Sequence, residues 1–189
     1  MSSELRDPPL LLLDACCLIN LLATERIETI LGCLPYRCAT SRVVASKEVL
    51  SIAVDGPTSE PLRREVIPPD RLERISSLAL LDLETDEEAS SFVRFAMQLD
   101  DGEASVCALA VARGGEVATD DRKALRILAS LTPPIPTLQT PQLLYEWAER
   151  LKVPERDIQS VLQQVYRRGR FFPRDGAPKL AWWETFLRR

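Results

Sequence analysis

At 189 residues, 46% hydrophobic and 28% charged, the chain has the make-up of a soluble globular domain with a real core and room for an appendage. A formal net charge of −4 excludes a protein that coats nucleic acid by bulk charge, so any such contact needs a local basic patch. The lack of histidine excludes Ser-His-Asp triads, imidazole acid–base chemistry and histidine-containing metal sites, leaving carboxylates, hydroxyls, Lys, Arg or a metal held by oxygen.

The opening MSSELRDPP is polar, with an acid where a signal peptide has its basic region, and no apolar run approaches the roughly 20 residues of a membrane span. No membrane association is expected. The continuous apolar run at 9–13 suits a strand buried on both faces. Helical pattern follows at 16–34, a short strand at 36–40, and Ser41 offers an N-cap to a helix at 42–54. The turn-rich 55–70, with four prolines, reads as an excursion or ragged hairpin before a helix at 71–78. A strand at 78–84 precedes Thr85, whose T-D-E-E pattern predicts a capped helix to about Leu99. Gly102 to Arg113 reads as the next helix, stopped by Gly114-Gly115. A strand at 116–119, a helix at 122–131 and a strand at 135–139 complete the alternation, and everything beyond is helical.

Short apolar strands alternating with longer helices predict an α/β fold: three layers, α/β/α, around a parallel sheet of four to five strands. The pattern divides the chain into a domain at 1–140 and a helical C-terminal extension at 141–189 packed on it. Five cysteines, at 16, 17, 33, 38 and 107, include no CxxC pair. Their odd number and apolar neighbours predict buried reduced thiols in a cytoplasmic protein, with little support for disulfides or a cysteine zinc site.

The chemistry-bearing residues are acids. Asp14 ends the first strand, and Asp120 and Asp121 follow the strand at 116–119, where ligands bind in open α/β sheets. Asp100, Asp101 and Glu103 crowd a helix start, and Glu48 lies after the second strand. Several have plainer explanations: Asp101 as an N-cap, Glu103 as a first-turn acid, Asp120 and Asp121 as caps, Glu48 as a solvated helix residue. Asp14 is harder to dismiss, because a carboxylate between four leucines and ACCLI is expected to be partly buried, and burial without a partner is costly. Carboxylates crowded together repel, unless a divalent cation such as Mg²⁺ or Mn²⁺ neutralises them. An acid cluster without histidine therefore suits phosphodiester hydrolysis.

In that setting LLLLDACCLINLL resembles the opening motif of PIN-domain nucleases, and SKEVL, DDGEASVCALA and EVATDDRKALRIL resemble their second, third and fourth acidic motifs, in family order across about 9–138. The resemblance implies a PIN-like Mg²⁺- or Mn²⁺-dependent endoribonuclease acting on RNA. Its acids would be Asp14, Glu48, Glu103 and Asp121, with the metal held by Asp14, Glu103, Asp121 and the adjacent Asp120. Thr119 matches the hydroxyl residue beside the fourth acid and is placed with the substrate-binding residues. The resemblance also brings in VapC-type toxins of toxin–antitoxin pairs, hence a possible protein antitoxin as partner. The alternative is a non-catalytic PIN-like scaffold that binds RNA or protein. A haloacid-dehalogenase-type phosphatase fits poorly, since its second acid falls on Cys16.

The extension mixes Arg with Phe and Trp. Arg167, Arg168 and Arg170 are candidates for an RNA-contacting arm. The plainer expectation is that Phe171, Phe172, Trp182 and Trp183 pack the extension onto the domain; a homodimer or antitoxin interface is a third option.

Overall fold

A computed structural model of the chain describes residues 7–47, 50–54 and 63–188. Its centre is β1 (Leu10–Leu13), four leucines that are almost wholly buried. Full burial of such a side chain contributes about 1.5–3 kcal/mol, so this run can only be a central strand. It pairs in parallel with β2 (Arg37–Ser41) on one side and β6 (Glu116–Ala118) on the other. Beyond them lie β5 (Ala79–Leu81) and β7 (Thr137–Leu138), again parallel, giving the order β5-β2-β1-β6-β7. With ten helices among the described residues, this is an α/β fold of the three-layer α/β/α kind.

The helix expected at 16–34 is two helices, α1 (Ala15–Ala23) and α2 (Ile27–Cys33). Thr24 turns its hydroxyl back to the Leu21 carbonyl and accepts the Arg26 amide, and Glu25 takes the left-handed conformation. A second correction concerns 42–54. Ser41 does accept the Val44 amide, but the helix it starts, α3, spans only Arg42–Lys47. Ser51–Val54 is instead a strand, β3, paired antiparallel with β4 (Arg63–Val66) in a separate two-stranded sheet. Short apolar runs containing Ile and Val satisfy either period, and the partner strand decides. Half of the excursion expected at 55–70, residues 55–62, lies outside the described residues; the described half holds β4 and the start of the short α4 (Pro69–Glu73).

Two helices follow β5. In α5 (Asp86–Ala96) the capping box of Thr85 and Glu88 is formed, and Glu88 also pairs with Arg113 at 2.6 Å. That pair ties the start of α5 to the end of α6 (Asp101–Arg113), which closes on Gly114 in the left-handed conformation. α6 packs on β1, β2 and β6, carrying its N-terminus toward the carboxyl ends of those strands.

After α7 (Arg122–Ser130) and β7, the extension comprises α8 (Thr140–Leu151), α9 (Glu155–Gln164) with a π-helical turn at Val165–Gly169, and α10 (Leu180–Phe186). Its apolar residues join the same core as the sheet: Leu143, Leu144, Trp147, Val161, Leu162 and Trp183 are all buried there. A Cβ on Gly169 would stand 2.8 Å from the Asn20 Oδ1 of α1, so any larger residue there would force the Asn20 side chain to shift. Trp183 meets Phe171 and Phe172 edge-on at centroid distances of 5.9 and 6.1 Å. No described helix is long and apolar enough to cross a membrane.

Replacing Trp183 by alanine should lower the unfolding free energy by about 3–5 kcal/mol, read from urea denaturation. A loss below about 1 kcal/mol would mean the extension does not share the core.

Candidate functional site

Strand order reverses between β1 and β6, and in open α/β sheets the crevice beyond the carboxyl ends at such a point is where ligands bind. Asp14 follows β1 immediately and caps α1. Its backbone amide donates to the Ala118 carbonyl at 3.0 Å, which locks the two strand ends together. Its carboxylate is 3% exposed and accepts three bonds: from the Ala15 amide at 2.6 Å, Thr119 Oγ1 at 2.9 Å and Cys16 Sγ at 3.2 Å. Burial pushes its pKa up and the charge of Asp100 adds to the rise, while those three donors oppose it.

Thr119, expected among substrate-binding residues, is fully buried and has no surface to offer a substrate. Its hydroxyl donates to Asp14 and accepts the Asp121 amide at 3.1 Å, so it aligns two acids across the crevice. Asp121 caps α7, accepting the Lys123 and Ala124 amides through Oδ1 alone.

The three-acid stretch divides its labour. The N-cap of α6 is Asp100, not Asp101: its Oδ1 accepts the Glu103 amide at 2.8 Å. Asp101 points to solvent and pairs with Lys47 at 3.4 Å, an exposed contact of little energetic weight. Glu103 is half-buried, and its carboxyl is pushed up to about 7, first by burial and then by the charges of Asp14, Asp100 and Asp121. One turn further, burial and the charges of Asp14, Glu103 and Asp100 push the Cys107 thiol up to about 12. The start of α6 is fixed from below. Ser105 donates to the Gly102 carbonyl at 2.7 Å and meets Ser41, at the end of β2, at 2.6 Å.

Asp14, Asp100, Glu103 and Asp121 therefore act on one another, and Asp100 is the member that motif matching passed over. Its signal was present, an acid three residues ahead of Glu103 at a helix start. Glu48 lies outside the described residues.

Asp120 is turned the other way. It is 6% exposed, and its oxygens are taken by the Thr140 amide at 3.0 Å, Thr140 Oγ1 at 2.5 Å, Asn20 Nδ2 at 3.1 Å and, more weakly, Cys17 Sγ at 3.5 Å. Burial raises its pKa, and the bonds from Thr140, Cys17 and Asn20 oppose the rise. The carboxylate so joins α1, the β6 loop and α8. Cys16, Cys17 and Asp120 do place ligand atoms within 4.8 Å of one another, near enough for a metal ion. The Cys17 thiol there is fully buried and pushed well above the usual thiol range, first by that burial. The five cysteines are free thiols.

Asp14, Asp100, Glu103 and Asp121 offer the oxygen donors that Mg²⁺ and Mn²⁺ prefer, and a cation would relieve the charge repulsion that adds to burial in raising the Glu103 pKa. Among the described residues no three of these acids bring oxygens within 4.8 Å of one another.

The tail arginines divide. Arg168 pairs with Glu25 of the α1–α2 turn, and its side chain is 15% exposed. Arg170 is exposed and, with Arg168 and Arg64, lines a cavity of about 200 Å³. Arg167 is exposed and has a partner. No protein-family model and no curated protein matches the chain.

Two measurements follow from this geometry. Glu103 carries a folded-state pKa near 7, above its ordinary 4.5, so the folded protein binds the extra proton between those values. Metal-free stability should then fall as pH rises from about 4.5 to about 7. Glu103→Gln should flatten that part of a melting-temperature profile and raise the metal-free melting temperature near pH 8, by a few degrees at about 2–4 °C per kcal/mol. An unchanged profile would place Glu103 outside the cluster. Thr140→Val, nearly isosteric, removes a donor from a buried carboxylate and should cost roughly 1.5–3 kcal/mol in chemical denaturation. A neutral outcome would show that Asp120 does not depend on Thr140.

Proposed function

We propose that the chain is a PIN-like endoribonuclease that hydrolyses phosphodiester bonds of RNA with Mg²⁺ or Mn²⁺. The reading is carried by one observation: Asp14, Asp100, Glu103 and Asp121 lie together at the switch point, where the charges of the other three add to burial in raising the Glu103 carboxyl to about 7. The ordered acidic motifs support it, as does the parallel sheet that brings the first, third and fourth of them to one edge. Asp14, Glu103 and Asp121 would hold the ion, with Asp100 beside them and Glu48 as a further candidate from its motif. The bound ion would supply Lewis-acid charge at the scissile phosphate and lower the pKa of the attacking water. Thr119 and Cys16 both donate to Asp14 Oδ2, so that this carboxylate keeps one orientation. The Asp100 cap and the Ser41–Ser105 contact hold Glu103 on a rigid helix start. Preorganisation of that kind keeps ligands in place without reordering at each turnover.

Asp14→Asn should reduce Mn²⁺-dependent cleavage of single-stranded RNA by roughly 100-fold or more, since removing even a supporting partner of a metal ligand costs about 10–100-fold. The variant should still melt cooperatively. Wild-type cleavage that persists after exhaustive chelation would sink the metal mechanism. RNA binding together with a Mn²⁺-induced rise in melting temperature, but no cleavage with any divalent ion, would favour the non-catalytic scaffold.

A further inference from the structure

The loop between the π-helical turn and α10 returns to the acid site. Arg174 donates from Nη2 to the backbone carbonyl of Asp120, one residue from Asp121. Arg122 follows Asp121 directly, at the first position of α7. Together with Leu125, Gln139 and the loop's Asp175, these residues line a surface cavity of about 480 Å³. Asp175 has a partner of its own in the structure. The geometry points to a phosphate-binding subsite, formed by Arg122 and Arg174, that seats the backbone of a single-stranded nucleic acid beside the carboxylates.

Three arguments lead there. The carboxylates repel an incoming phosphodiester, and a chain of net charge −4 has no general attraction to offset that. A substrate anion therefore needs cations placed locally, and Arg122, Lys123 and Arg126 stand exposed in the first two turns of α7. Next, Arg122 and Lys123 sit at the positive end of a helix, where the dipole disfavours cations, so their placement does not serve α7 itself. A bound anion there would be favoured by these cations, since Asp121 already takes the Lys123 and Ala124 amides of this helix end. Finally, a guanidinium has five N–H donors, and the bond to Asp120 occupies one nitrogen, leaving the rest of the fork for a phosphate.

This subsite gives the extension a task at the acid site through Arg174, one that the motifs at 9–138 do not contain. It rests on the nuclease reading for its purpose, but binding can be measured without cleavage. Fluorescence anisotropy of an end-labelled oligoribonucleotide of about ten residues, in EDTA and over a range of salt, would follow full-length protein. The Arg122→Gln, Arg174→Gln double variant should bind about tenfold more weakly at low salt, and its salt slope should fall by roughly 1.4, about 0.7 for each phosphate no longer neutralised. Arg122→Gln alone should account for about half of that change without lowering the melting temperature, which guards against a loop displaced by loss of the Arg174 bond. Arg174→Lys should retain part of the affinity. Asp14→Asn should bind at least as tightly as wild type while failing to cleave. Unchanged affinity and slope in the double variant would overturn the subsite. So would a weakening confined to Arg174→Gln and accompanied by a lower melting temperature. Loss of binding in the double variant, in a protein whose wild type cleaves nothing with any divalent ion, would support the subsite and remove the nuclease reading.

Discussion

A buried carboxylate at the end of a fully apolar strand constrains the structure around it. Asp14 sits where β1 gives way to α1, and it has to find donors because it has left water. It finds them in its own helix, in Cys16 and in Thr119 across the β1–β6 junction. The Thr119 bond is the informative one: it joins residues 105 apart in sequence and, through the Asp121 amide, passes the alignment on to a second acid. The same bonds that make burial tolerable also hold the crevice in shape. Burial still raises the Asp14 pKa, so the site retains an electrostatic cost that its own donors do not cancel.

The neighbouring acid solves the same problem differently. Asp120 faces inward and is met by Thr140, Asn20 and Cys17, which belong to the start of the extension and to α1. Consecutive aspartates thus divide between the inside and the crevice, as side chains in extended backbone point to opposite sides. The consequence is mechanical coupling. α8 begins on the carboxylate next to the site, the Gly169 turn closes against Asn20, and Arg174 holds the Asp120 carbonyl from outside. The extension therefore touches the β6 loop from two directions, and its tryptophans anchor it in the common core.

The start of α6 shows how a helix cap and a charged site are built from one stretch. Asp100 satisfies the Glu103 amide and adds charge beside the Glu103 carboxyl, while Asp101 takes the solvent side. Helix capping and site-building are therefore not alternatives here. The cap sets the direction in which Glu103 leaves the backbone, and the Ser41–Ser105 contact ties that direction to the end of β2.

Much of the fold was legible in the sequence. Four leucines and then an acid specified a central strand and its end, the T-D-E-E pattern specified a capped helix, and Gly114 specified where the next helix stops. These are local signals, set by side-chain period, capping and backbone freedom over a few residues. Asp14, Glu103 and Asp121 were also legible, because an acid at a strand end or a helix start stands out against its neighbours. The strand at 51–54 was not legible, since a short apolar run takes the conformation its partner offers, and that partner is β4. Nor could the sequence by itself separate Asp120 from Asp121, bury Thr119, or bring Arg174 to Asp120 from 54 positions away. Those outcomes depend on which donors the folded chain delivers to each carboxylate, and long-range packing alone decides that.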